Sequence, residues 1–238
     1  MKIPQKITPC PIIEAVVEIR FKSKLPSDAI FGIIYNEFKN DYKTLQKLPI
    51  LQLPEEVRSK DPNLKYQPYY KLITDNFILQ IGPHILSLVN IGSYVGWQKF
   101  FEKIIETFSR INKLAIISKI NRLGIRYINF FELNIFEKIN LKFYLSDNTF
   151  SAQQITFKST INTGKFLSNL QILNNGIITV NNLQKTGSVI DIDTYTQNEN
   201  KDIFSTLTNL LNEGHLEEKK LFFTLLTDSF LKNLNPEY

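Results

Sequence analysis

The chain has 238 residues, 43% of them hydrophobic, with 18 Phe and 10 Tyr. That is enough to build a core in one large domain or two small ones without disulfide or metal staples. A single cysteine, Cys10, excludes an intrachain disulfide and a multi-cysteine metal site, and fits a reducing, cytoplasmic setting. The net charge of +5 is modest, no apolar run approaches the roughly 18 residues of a membrane span, and Met1 to Cys10 lacks the apolar stretch of a signal peptide.

The first element is the clearest. From Ile13 to Phe21 apolar residues occupy every odd position, while Glu14, Glu18 and Arg20 stand at even ones. Period-two alternation predicts a half-buried strand with a charged outer face. Leu25-Pro26-Ser27-Asp28 opens a helix whose apolar positions Ile30, Ile33, Ile34 and Phe38 recur at helical spacing. Leu45 to Gln67, with Pro49, Pro54 and Pro62, reads as a long loop with at most one short element. Three strands in a meander follow at Tyr69–Thr74, Phe77–Ile81 and Ile85–Asn90, separated by Asp75-Asn76 and Gly82-Pro83. Tyr94 to Lys113 is predicted to be an amphipathic helix with Trp97, Phe101, Ile104, Ile105, Phe108 and Ile111 on its apolar stripe. A strand over Lys119–Phe131 comes next.

The second half is richer in strands. One helical turn is expected over Asn134–Ile139, then strands at Lys142–Leu145, Gln154–Ile161, Phe166–Leu173, Gly176–Asn181 and Ser188–Thr196. Ser146-Asp147-Asn148, Asn162-Thr163-Gly164 and Asn174-Asn175-Gly176 separate them, the last with the Asn-Gly pair that favours a tight hairpin. Two helices close the chain, about Lys201–Asn212 and His215–Leu234, divided at Gly214. The order of elements is not a regular strand–helix alternation, which argues against a doubly wound parallel sheet. The expected class is α+β, with largely antiparallel sheet, helices packed on one face, and two subdomains, 1–134 and 135–238.

Four segments carry a family likeness: PIIEAVVEIRF (Pro11 to Phe21), GPHILSLVNIGSYVGWQKF (Gly82 to Phe100), LGIRYIN (Leu123 to Asn129) and HLEEKKLFFTLLTDSF (His215 to Phe230). Asp191-Ile192-Asp193-Thr194-Tyr195 also fits. In these the chain resembles a sporadically distributed family of uncharacterised bacterial proteins of similar length. The resemblance implies one architecture over the whole chain and a bacterial cytoplasmic setting. It brings no activity with it. The patchy distribution of that family implies an accessory gene of the phage-defence or toxin–antitoxin type.

The candidate binding face follows from spacing. Glu14 and Glu18 are four residues apart, as are Arg122 and Arg126, roughly 13 Å along an extended chain. If the two strands are neighbours, the carboxylates can answer the guanidiniums in an ion-paired ladder, to which Arg20, Asp191 and Asp193 can be added. Such a face is either a structural ladder or the wall of a site for phosphates or nucleotides. In the second case it would resemble the triphosphate-tunnel hydrolases, whose first strand reads Glu-x-Glu-x-Lys. Here the positions are Glu14, Val16, Glu18 or Val16, Glu18, Arg20, so one carboxylate is missing in either register.

Other groups support less. His84 follows Gly82-Pro83 and reads as a turn residue; His215 reads as a contact at a helix start; Cys10, between two prolines, has no basic neighbour to activate it. Tyr94, Trp97, Phe100 and Phe101 read mainly as core. Lys99 to Arg126 holds seven basic and two acidic residues, a local excess equal to the net charge of the whole chain, and is a candidate for nucleic-acid binding. No phosphate loop, dinucleotide fingerprint, His-Glu-x-x-His or Gly-x-Ser-x-Gly is present. The expectation is therefore a binding or scaffold protein with a protein partner or a second copy of itself, no membrane contact, no metal and no cofactor. A charged-face hydrolase and a nucleic-acid-binding protein are the alternatives.

Overall fold

A computed structural model of the chain describes residues 2–146, 148–149, 154–180, 183–196 and 203–238. Its frame is one antiparallel sheet of nine strands, so the fold is α+β. In chain order the elements are β1 (Ile12–Ser23), α1 (Ser27–Phe38), β2 (Thr44–Lys47), α2 (Glu55–Lys60), β3 (Tyr70–Ile73), β4 (Phe77–Gly82), β5 (Ile85–Ile91), α3 (Trp97–Lys113) and β6 (Ile117–Phe131). The second half supplies the small hairpin β7 (Tyr144–Leu145) and β8 (Asn148–Thr149), then β9 (Thr156–Asn162), β10 (Leu167–Val180), β11 (Leu183–Thr196), α4 (Ile203–Leu225) and α5 (Asp228–Asn233). The large sheet runs β2-β3-β4-β5-β1-β6-β11-β10-β9.

The period-two pattern of β1 places it near the centre. Ala15, Val17, Ile19 and Phe21 are fully buried, and Glu14, Val16, Glu18 and Arg20 occupy the other face. β1 pairs with β5 on one side and β6 on the other, with Val17 opposite both Leu88 and Ile125. The helices α1, α3 and α4 cover the buried face, contributing Ile34, Phe100, Phe108 and Leu211 to the same apolar cluster. Each such side chain adds about 2–3 kcal/mol when it leaves water. Phe100→Ala would therefore cost about 3–5 kcal/mol. A second cluster, around Ile172, Ile190, Phe222 and Leu226, continues the same layer under the end of α4. The halves expected on either side of residue 134 share this sheet, since β6 and β11 pair along nine residues from Phe131/Ser188 to Leu123/Thr196.

Three local expectations need correction. The helix over the last third does not divide at Gly214: α4 runs unbroken from Ile203 to Leu225. A Cβ at Gly214 would lie 3.3 Å from both Ile125 and Phe166. The glycine is there for close approach of the helix to the sheet, not as a helix stop. The real break falls at Leu226-Thr227, where the Thr227 side chain accepts the Phe230 N–H and caps α5. Asn174-Asn175-Gly176 is not a hairpin turn. β10 passes through it with a register shift, Asn175 at φ 50°, and Asn174 accepting the Ile155 N–H at 2.6 Å. A left-handed Asn can serve a bulge as well as a turn. The segment expected to be mostly loop also carries β2, a 3-10 turn over Pro49–Gln52 and α2. Asp147, Asn181 and Lys201, which fall in an expected turn, strand and helix, lie outside the described residues.

Candidate functional site

The open face of the sheet holds all seven residues of the charged constellation, on three adjacent strands. The antiparallel register sets Glu18 opposite Gly124, Arg20 opposite Arg122, Val16 opposite Arg126, and Arg126 opposite Asp193. Arg122 reaches across Gly124 and donates to Glu18 at 2.8 Å and to both oxygens of Asp193 at 2.7 and 2.6 Å. Its guanidinium also stacks on the Tyr195 ring at 4.2 Å. A Cβ at Gly124 would lie 2.5 Å from the Arg122 nitrogen, so glycine is what lets the side chain lie flat across the strand. Arg126 makes a bidentate pair with Asp191 at 2.8 and 2.6 Å, which holds its proton more firmly than usual. Arg20 donates to Glu18 at 2.8 Å and stacks on Tyr66.

The strands of Glu14 and Glu18 and of Arg122 and Arg126 are thus neighbours, but the pairing differs from a two-strand ladder. Of the two β1 carboxylates Glu18 alone answers Arg122, and the remaining carboxylates come from β11. Glu14 has no ion pair among the described residues, and burial raises its pKa. Beside this network a shallow depression of about 510 Å³ is bounded by Arg126, Lys158, Asn169, Gln171, Asp191 and Asp193.

A larger cavity, about 820 Å³, lies on the opposite, helix-covered side of the sheet. That is within the range of roughly 300–1,000 Å³ usual for small-molecule sites. Four elements wall it. The segment 5–12 forms one side, held by the chain's other end through Gln5 N–H to the Glu237 carbonyl (2.6 Å) and Thr8 N–H to the Leu234 carbonyl (2.7 Å). The turn from β5 into α3 forms another. There Asn90 accepts the Val95 N–H at 3.0 Å, and Gly96, at φ 86°, lets the chain enter the helix at Trp97. Tyr127 and Asn129 of β6 make the floor. The roof is α4, on which Leu211, Gly214, Glu218 and Phe222 form one buried stripe, with His215 at its edge.

The polar groups in this cavity form a connected set. The Tyr94 and Tyr127 hydroxyls are 3.2 Å apart, and the Tyr127 hydroxyl is 3.1 Å from His215 Nδ1. The indole of Trp97 lies parallel to the His215 ring at 3.9 Å, and its N–H donates to Asn212 at 3.3 Å, tying α3 to α4. Burial pushes the His215 pKa down to about 3 and keeps both tyrosine hydroxyls protonated. Glu218 is different. It is 4% exposed, borders the cavity, and makes no hydrogen bond or ion pair among the described residues. Burial pushes its pKa up to about 8, with Lys219 opposing. Cys10 sits exposed at the rim, its thiol pKa raised by desolvation.

The sequence pattern places His215 at a helix start and Tyr94 and Trp97 mainly in the core, and it reads Glu218, with Glu217, only as an acid suited to that helix start. A signal is nonetheless there. Continued through Gly214, the apolar spacing Leu207, Leu211, Phe222 puts Glu218 squarely on the buried stripe and His215 beside it. A glycine with the local look of a helix end hides it. His84 does sit in the β4–β5 turn, where its carbonyl accepts the Phe21 N–H.

The basic segment Lys99–Arg126 is divided by the fold. Arg110 pairs with Glu37 and Asp41, Lys103 with Glu106, and Arg122 and Arg126 belong to the sheet face; Lys99 and Lys113 are exposed on α3. No group of His, Cys, Asp and Glu suited to a metal occurs among the described residues. No helix among them is long and apolar enough to cross a membrane. No protein-family model matches the chain, and no curated protein matches it significantly.

Proposed function

We propose that the chain is a binding protein that takes a small, partly apolar ligand in the cavity between α3, α4 and the segment 5–12. The observation that carries this reading is Glu218, a buried carboxyl without a partner among the described residues, facing an 820 Å³ space lined by aromatic rings. Buried polar groups in folded proteins are hydrogen-bonded, and one that is not commonly marks a place where a partner is missing. The cavity favours binding over chemistry. His215 is neutral far below pH 7, Glu218 is protonated at pH 7, and the Cys10 thiol stays a thiol, so none of the three supplies an ionised nucleophile or a ready base there. With this reading goes a bacterial cytoplasmic setting in an accessory system, supported by the likeness of the four sequence segments and by the lone cysteine.

The alternatives have less support. In the sheet face Arg122 and Arg126 are already held by carboxylates, which leaves little positive charge for a phosphate. In the basic segment, Lys103, Arg110, Arg122 and Arg126 are paired within the chain.

Trp97 is the single tryptophan of the chain and lines the cavity, so its emission reports on occupancy. A panel of small aromatic and aliphatic compounds, read by Trp97 fluorescence and by melting temperature, should give at least one saturable response in both. Val95→Phe, which fills the same space, should abolish it. A panel-wide absence of response, or a response unchanged in Val95→Phe, would sink the proposal.

A further inference from the structure

Resting on the reading of the cavity as a ligand site, we propose that the ligand is an organic cation, a protonated amine on an apolar body, and that Glu218 is the residue that anchors it. The geometry points to a cation in three ways. Glu218 is only 4% exposed, its carboxyl opens on the cavity without an ion pair among the described residues, and an ionised carboxylate in such a place is costly until a positive charge stands beside it. Aromatic side chains line the same cavity: Tyr94, Trp97, Tyr127 and Phe222 all border the space. Aromatic faces with a carboxylate among them are the surroundings in which ammonium groups are recognised. Among the other polar groups of the cavity, the Tyr94–Tyr127–His215 chain is neutral and offers oxygen acceptors to N–H donors.

Lys219 acts on Glu218 electrostatically, but no cation among the described residues forms an ion pair with it. Lys219 follows Glu218 on α4, about 100° round the helix, and its ammonium reaches the Gln5 carbonyl at 3.5 Å. Lys6, on the segment opposite, pairs with Glu237 at 3.4 Å. Among the described residues no arginine borders the cavity. An anionic ligand would face a buried carboxyl and a neutral imidazole, with only these two lysines to attract it.

Binding of a cation requires Glu218 to lose its proton. The groups that face it are Tyr94 from the turn before α3, Tyr127 from β6, His215 and Lys219 on its own helix, and Cys10 from the N-terminal segment. Tyr94, Tyr127 and His215 hold their neutral forms across pH 6 to 8, so the affinity for a cation should follow the carboxyl. It rises as the pH climbs toward about 8 and levels off above, where Glu218 is already ionised.

The experiment uses the full chain and three probes of one shape: phenylbutylamine, phenylbutanol and phenylbutyrate, titrated against Trp97 emission and by calorimetry. The expected result is binding of the amine at least about tenfold tighter than the alcohol at pH 8, with the butyrate weakest. Proton release on amine binding is expected at pH 7. Glu218→Gln should erase the preference for the amine over the alcohol. If the alcohol binds as well as the amine, and neither pH nor Glu218→Gln changes the order, the cation assignment is overturned while the cavity remains a ligand site. If none of the probes and nothing in the wider panel responds, the cavity reading falls with it. The pH series on the unmodified chain decides the matter should Glu218→Gln fold poorly.

Discussion

Two charged regions of this protein lie on opposite faces of one sheet and have solved the same electrostatic problem in opposite ways. On the open face Arg122 is held by Glu18, Asp193 and the Tyr195 ring, and Arg126 by Asp191. Under α4, Glu218 is more deeply buried than any of these carboxylates and has no partner among the described residues. Charges that satisfy one another specify register and need no ligand. A buried acid beside an open volume, with no neighbour to satisfy it among those residues, is an asymmetry that singles out the cavity. The number of charged residues in a patch is a poorer guide than how many of them remain unpaired.

The comparison is sharpest under mutation. Arg122→Ala leaves Asp193 half-buried without its cation and Glu18 with Arg20 alone. We expect a loss of about 3 kcal/mol of unfolding free energy in urea, with the Trp97 response to ligand unchanged. A loss below about 1 kcal/mol would show that the open face is a solvated surface and not a structural ladder.

Glu218 should show itself in the pH dependence of stability. Its pKa is about 8 when folded, against an ordinary value of 4.5. The folded state therefore holds the proton more tightly, and stability is present at low pH and lost as the pH rises toward about 8. His215 has the opposite sign. Its pKa falls from 6.5 to about 3 on folding, so stability is lost as the pH drops through that interval. From 6.5 to 8, above the interval in which His215 acts, Glu218 contributes a falling slope of up to about 1.4 kcal/mol per pH unit. Thermal unfolding of Glu218→Gln should lack this falling limb. A limb that persists in the variant would mean that another group, not Glu218, produces it.

Gly214→Val is expected to be milder. A branched side chain between Ile125 and Phe166 must lift α4 from β6, at about 2 kcal/mol, and should disturb the Trp97–His215 stack enough to shift the emission of the unliganded protein. The smallest effect belongs to Arg126→Ala. This side chain is 44% exposed, so its ion pair with Asp191 should contribute less than about 1 kcal/mol, and only a marginal change in melting temperature is expected.

Much of the frame is legible in the chain alone. The alternation of Ile13 to Phe21 identifies a strand and the face on which Glu14, Glu18 and Arg20 lie. The meander from Tyr70 to Ile91 follows from turn residues between alternating runs, and α3 from its apolar stripe. These are local properties, since side-chain direction repeats every two residues in a strand and about every 3.6 in a helix. Which carboxylate meets which arginine is not legible. It depends on the order β1-β6-β11 and on a register that brings Asp191, not Glu14, within reach of Arg126.

The cavity is hidden for a related reason. Gly214 has the same local signature as a helix end, and only the contact with Ile125 and Phe166 keeps it inside a helix. The burial of Glu218 depends in turn on that helix, on Tyr127 from the sheet, and on the N-terminal segment held by the C-terminus. The sequence by itself determined the elements, their faces and the α+β class, because periodicity is carried by neighbours along the chain. Only the tertiary structure decided which charges are paired and which, like Glu14 and Glu218, have no ion pair among the described residues, because pairing and desolvation are set by residues distant in sequence and adjacent in space.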